Sequence, residues 1–156
     1  MAEDMNSETG LIESVMKKWH QVLNGELEID DILHPDCVFW SPVLFHPQKG
    51  RELTKMYLSA ASLVFPGDEP KESENGGKDE TESSSFRYTK RVLDGSHAVL
   101  EFETSIDGLH VNGVDIITCD DTGLIVEFKV MLRPRQALEK VSEQMMSMIE
   151  SLDHTP

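Results

Sequence analysis

Apolar side chains recur at helical spacing early in the chain and alternate from Phe86 onward. Leu11, Ile12, Val15, Met16, Trp19, Val22 and Leu23 share one stripe, which predicts a helix over residues 11–24 stopped by Gly25. Residues 28–33 predict a short second helix with Ile29, Ile32 and Leu33 inward, ended at His34-Pro35 because the residue before a proline disfavours helix. Residues 37–40 read as a short strand closed by Ser41-Pro42, and residues 50–64 as a third helix with Leu53, Met56, Tyr57, Ala60, Ala61 and Val64 on one face. Strands follow over 86–93, 98–106, 109–119 and 124–132, separated by Asp94-Gly95, Asp107-Gly108 and a turn at 120–123. Pro134 then opens a last helix whose stripe is Ala137, Leu138, Val141, Met145, Met148, Ile149 and Leu152. Helices first and an antiparallel meander afterwards is the α+β pattern. Both parities of residues 111–117 and 126–132 are hydrophobic, so both sheet faces need cover, and a homodimer is expected.

Composition narrows the partners. The net charge is −15, and residues 68–85 hold seven acids against two lysines, leaving −10 elsewhere. Phosphate backbones and anionic membranes repel such a chain, so no nucleic acid and no membrane partner is expected. No apolar run approaches the ~20 residues of a membrane span, and the acidic start lacks the form of a signal peptide, which points to the cytoplasm. The 156 residues suit a single domain over 11–155, with a disordered tail at 1–10 and a flexible acidic loop at 67–85. Cys37 and Cys119 stand too far apart to form a disulfide framework. Nothing matches a metal-ligand spacing, a phosphate loop, a dinucleotide fingerprint or a nucleophile elbow, so neither metal nor cofactor is expected.

The order of elements resembles the nuclear transport factor 2-like superfamily, and within it the SnoaL-like polyketide cyclase and ketosteroid isomerase branches. The residues that carry the resemblance are Val15 to Glu28 (VMKKWHQVLNGELE), Phe39-Trp40-Ser41-Pro42-Val43, Val114-Asp115-Ile116-Ile117-Thr118, and Gly123-Leu124-Ile125-Val126-Glu127. It implies a cone-like curved sheet around a buried pocket for a small organic molecule, carbonyl, polyketide or steroid-like. The isomerase's tyrosine oxyanion donor on the first helix is matched by Trp19, and its general-base aspartate before Pro-Val is matched by Ser41. Its protonated aspartate, eight residues before the glycine of the last turn, is matched by Asp115. A serine hydroxyl is not basic enough to replace that base. A related hydrolase branch uses an Asp–Arg–Asp set, which this chain lacks at Asp115.

Asp115 is the one candidate catalytic residue. It interrupts the apolar run Val111 to Ile117, where an unpaired charge is costly. Either it is a neutral-acid donor in a cavity or a carboxylate held by a local structural bond. Val111 and Gly113 share its strand parity and are expected on the pocket face, with Phe39, Phe128 and Val130 as further lining. Trp19 offers an indole donor or core packing; Ser41 a ligand contact or a turn cap; His46 a base at the pocket mouth or an exposed loop ring. Tyr57 offers a ligand hydroxyl or core packing. Two function classes stand: an isomerase-, cyclase- or lyase-like enzyme, and a non-enzymatic domain binding a small ligand or a protein.

Overall fold

A computed structural model describes residues 2–64 and 86–153, without the side chains of residues 2–9, 63 and 151–153. The expected flexible loop at 67–85 lies outside the described residues. Helix α1 (Ala2–Leu23) begins before the apolar stripe and ends beside the predicted boundary. Its stop is a Schellman closure: the Glu26 N–H donates to the Gln21 carbonyl at 2.7 Å and the Gly25 N–H to Val22 at 3.0 Å, with Gly25 at φ 80°. Helix α2 (Arg51–Val64) follows the third predicted helix closely. Helix α3 (Arg135–Asp153) starts after Pro134, whose carbonyl accepts the Leu138 N–H at 3.0 Å.

The strands are β1 (Leu33–Trp40), β2 (Gln48–Lys49), β3 (Arg87–Asp94), β4 (His97–Ile106), β5 (Leu109–Cys119) and β6 (Ile125–Arg133), in the order β2-β1-β6-β5-β4-β3. The fold is α+β with a curved, unclosed sheet. The β3-to-β6 meander is antiparallel as expected, but β1 runs parallel to β6, with Phe39 beside Phe128. The sheet is therefore mixed, and the short pairing of β2 with Val38 and Phe39 was not anticipated.

The expected second helix is a single 3-10 turn, Ile29–Asp31. Leu33 instead enters β1, because its backbone pairs with Ile125 and the Ile125 N–H donates to the Ile32 carbonyl at 2.8 Å. Pro35 falls in an irregularity where the register skips from Leu33 to Val38, so its missing N–H breaks no ladder. Among the described residues two α-helices thus precede the meander.

One face of the sheet is the core. Along β4 and β5 every second residue is buried, and Leu100, Ile117, Ile125 and Phe128 meet Ile12, Val15, Met16 and Trp19 of α1. A second cluster joins Val64, Ile106 and Val111 to Ala137 and Val141 of α3, which fixes that helix across the end of the sheet. On the outer face, Val99, Val114 and Ile116 are half-buried, while Val92 and Met131 are half-exposed. Among the described residues no helix is long and apolar enough to cross a membrane.

Candidate functional site

Between the inner sheet face and the three helices lies a cavity of about 500 Å³. Trp19 enters it from α1, Tyr57 from α2, Phe39 from β1 and Ser41 from just after it, Asp115 from β5, and Phe128 and Val130 from β6. Its rim includes Leu23, Leu44 and Met146, each at least 42 % exposed, so its mouth is apolar as well.

Seven of the ten residues singled out from sequence therefore line one space: Trp19, Phe39, Ser41, Tyr57, Asp115, Phe128 and Val130. Val111 shares the parity of Asp115 but sits four residues along β5, buried under Ala137 and Val141 of α3, outside the cavity lining. Gly113 contributes space instead of contact. A Cβ there would stand 2.6 Å from Leu132 Cδ2 and closer still to the Phe102 ring, and both side chains line the cavity. His46 is exposed on the loop after β1, its ring 5.5 Å from that of Phe45, and takes no part in the lining.

The polar end of the cavity is a chain of three side chains. The Trp19 indole N–H donates to the Tyr88 hydroxyl at 3.1 Å, and that hydroxyl donates to Asp115 Oδ2 at 3.1 Å. The Trp19 N–H is thus directed at Tyr88. Its ring also packs edge-on to Phe128 at 5.2 Å, so Trp19 is both core and hydrogen-bond partner. Asp115 is 6 % exposed. Burial pushes its carboxyl up to about 7, against the Tyr88 hydrogen bond, which favours the charged form. Burial, and then the Asp115 charge, hold the Tyr88 phenol well above its ordinary value, so Tyr88 keeps its proton.

The remaining lining is aromatic and aliphatic. Phe39 stacks on Tyr57 at 5.3 Å, and on the other side Phe86 stacks on Phe102 at 4.8 Å. Ser41 Oγ accepts the Val43 N–H at 3.1 Å, which makes it a turn cap that also faces the cavity. Tyr88, Phe86, Phe102, Leu132 and the α3 residues Val141, Met145 and Ile149 were not anticipated as lining. The α3 stripe was visible in the sequence; what it packs against was not. Among the described residues no group of three or more His, Cys, Asp or Glu side chains is placed to hold a metal ion.

Comparison with family models and with curated proteins finds no match. Among solved structures, a steroid delta-isomerase from Pseudomonas aeruginosa is similar at a TM-score of 0.77 and 28% identity, over 93% of this chain and 96% of that one. A protein with a cystatin-like fold from Silicibacter pomeroyi is similar at 0.61 and 28%, over 76% and 72%. The chain shares the fold of the nuclear transport factor 2-like superfamily. A further similar structure, an epoxide hydrolase/cyclase-like enzyme of pyran ring formation in the polyether salinomycin, shares the superfamily fold at 0.56 and 16% identity, over 85% and 97%.

Proposed function

We propose that this nuclear transport factor 2-like protein binds a small, largely apolar organic molecule in the cavity and presents the acid form of Asp115 to a carbonyl or enol oxygen. The observation that carries this reading is a single carboxyl, 6 % exposed, among the described residues lining an aromatic and aliphatic cavity of about 500 Å³. With its titration near 7, both proton forms coexist around neutrality. The same group then gives a proton to oxygen and takes one from an adjacent carbon, which suits isomerase- or cyclase-type chemistry without a metal or cofactor. Similarity to a steroid delta-isomerase supports the same class.

Ser41 favours a second reading. It stands where the resemblance implies a general base, and its oxygen already accepts the Val43 N–H. A domain that binds its ligand without turnover fits that loss.

The test is the affinity for a panel of apolar mono- to tricyclic ketones between pH 5 and 9. Binding through the acid form should weaken about tenfold per unit above the Asp115 midpoint and become flat in Asp115→Asn. Affinity that is flat in the native chain and unchanged in Asp115→Leu would contradict the reading. Exchange of the ketone's α-protons in deuterated water, lost in Asp115→Asn, separates turnover from binding alone.

For quaternary structure, the occupant of the outer sheet face is a second copy of the chain. That face carries Val99, Val114 and Ile116 beside exposed Val92 and Met131. It also carries charges of both signs, including the Arg87–Glu103 pair, so it suits pairing with itself.

A further inference from the structure

We infer that Tyr88, brought inward by a β-bulge at Thr89, is the positioning residue that orients Asp115 toward the cavity, with Trp19 fixing the Tyr88 proton in turn. This deepens the ligand reading above and rests on it.

The inference starts from strand parity. On β3, Leu93 pairs with buried Ala98 and Arg91 with buried Leu100, so an unbroken alternation puts Thr89 and Arg87 inward and Tyr88 outward. The register instead skips a residue: Lys90 pairs with Glu101 and Tyr88 with Phe102, leaving Thr89 unpaired between them. One extra residue turns Tyr88 to the face that holds Asp115. The Tyr88 ring is held there edge-on to Phe102 at 6.3 Å and to Phe86 at 5.1 Å.

The donor and acceptor roles then follow from chemistry. An indole N–H only donates, so the Tyr88 oxygen accepts from Trp19 and its single proton is directed at Asp115 Oδ2. With Oδ2 engaged as acceptor, the carboxyl proton belongs on Oδ1, the oxygen left for a ligand. Trp19 offers no second donor, so the ligand oxygen meets one strong donor. That favours neutral ketones over preformed enolate anions.

Among the described residues few other charges face this chain. From α1, His20 lies edge-on to Tyr88 at 6.1 Å, its titration lowered by burial and by Arg91 of β3. From β4 and β6, the cross-strand partners of Asp115 are Leu100 and Val130. The Asp115 midpoint is thus governed by burial and by Tyr88, in opposite directions.

The experiment is a carboxyl ¹³C NMR titration of Asp115 in the full, ligand-free chain, comparing the native protein with Tyr88→Phe and Trp19→Phe. Loss of the Tyr88 hydroxyl should raise the midpoint by about one pH unit or more, the worth of a hydrogen bond to a charged group. Trp19→Phe, which frees the Tyr88 proton without removing it, should raise it by less. A purely structural Tyr88 would lower the melting temperature and leave the midpoint where it is, and that outcome overturns the inference. Should Tyr88→Phe not fold, Trp19→Phe decides on the same readout: a rise supports the inference, and an unmoved or lowered midpoint overturns it. Because the titration needs no ligand, it can fail while ketone binding persists, and ketone binding can fail while the titration stands.

Discussion

Asp115 lowers the stability of the fold at neutral pH in a way that can be measured. Its folded midpoint of about 7 lies above the ordinary value of 3.8, so between those values the folded state holds a proton that the unfolded state has released. The associated stability is fully present below about pH 4 and is lost as the pH rises toward 7. Relative to Asp115→Asn, the native chain should lose about 2–3 kcal/mol between pH 5 and 8, read from urea unfolding of both proteins. A difference that stays constant with pH would mean that the carboxyl titrates normally. Gly113 offers a steric test at the same scale. A side chain there meets Phe102 and Leu132, so Gly113→Val should destabilise by about 1–3 kcal/mol and weaken ketone binding. Unchanged ketone affinity would show that Phe102 and Leu132 do not shape the bound site.

At the scale of elements, local rules made much of the fold legible. The α1 stripe, the Gly25 stop and the turn at Asp107 and Gly108 follow from side-chain spacing and from glycine's tolerance of positive φ; Asp107 and Gly108 adopt φ of 52° and 84°. Asp115 stood out because a lone acid in an apolar strand demands an explanation. Tyr88 did not, since the bulge reverses the parity that the surrounding residues imply. The entry of His34-Pro35 into β1 was hidden for a related reason: pairing with β6 is a distant contact that overrides a local helix signal. His46 lies exposed on the loop after β1 and outside the cavity lining, as in the second of the two readings its position left open. The bulge makes a specific prediction. Deleting Thr89 removes the extra residue and leaves Tyr88 opposite Phe102, so stability should change by less than about 1 kcal/mol and the Asp115 midpoint should hold. A midpoint that moves as it does in Tyr88→Phe would show that Thr89 itself supports the pair.

For the whole molecule, the two faces of the sheet have different tasks. The inner face and the three helices enclose the cavity, with α3 anchored through Ala137 and Val141 and through Lys140 and Gln144 at the Asp107 carboxylate. The outer face is the one we propose a second copy covers. Light scattering should give about 35 kDa for the native chain, twice its 17.6 kDa, and a monomer for Ile116→Lys. A native particle of 17.6 kDa at micromolar concentration would contradict that assembly. The central claim concerns the inner face: a buried acid that meets a neutral oxygen. It is tested most directly by titrating the Asp115 carboxyl by NMR with and without α-tetralone, an apolar bicyclic ketone. The account predicts a midpoint near 7 in the free protein and a higher one with the ketone bound, because the ligand favours the acid form. An ordinary aspartate midpoint near 3.8, unmoved by the ketone, would contradict it.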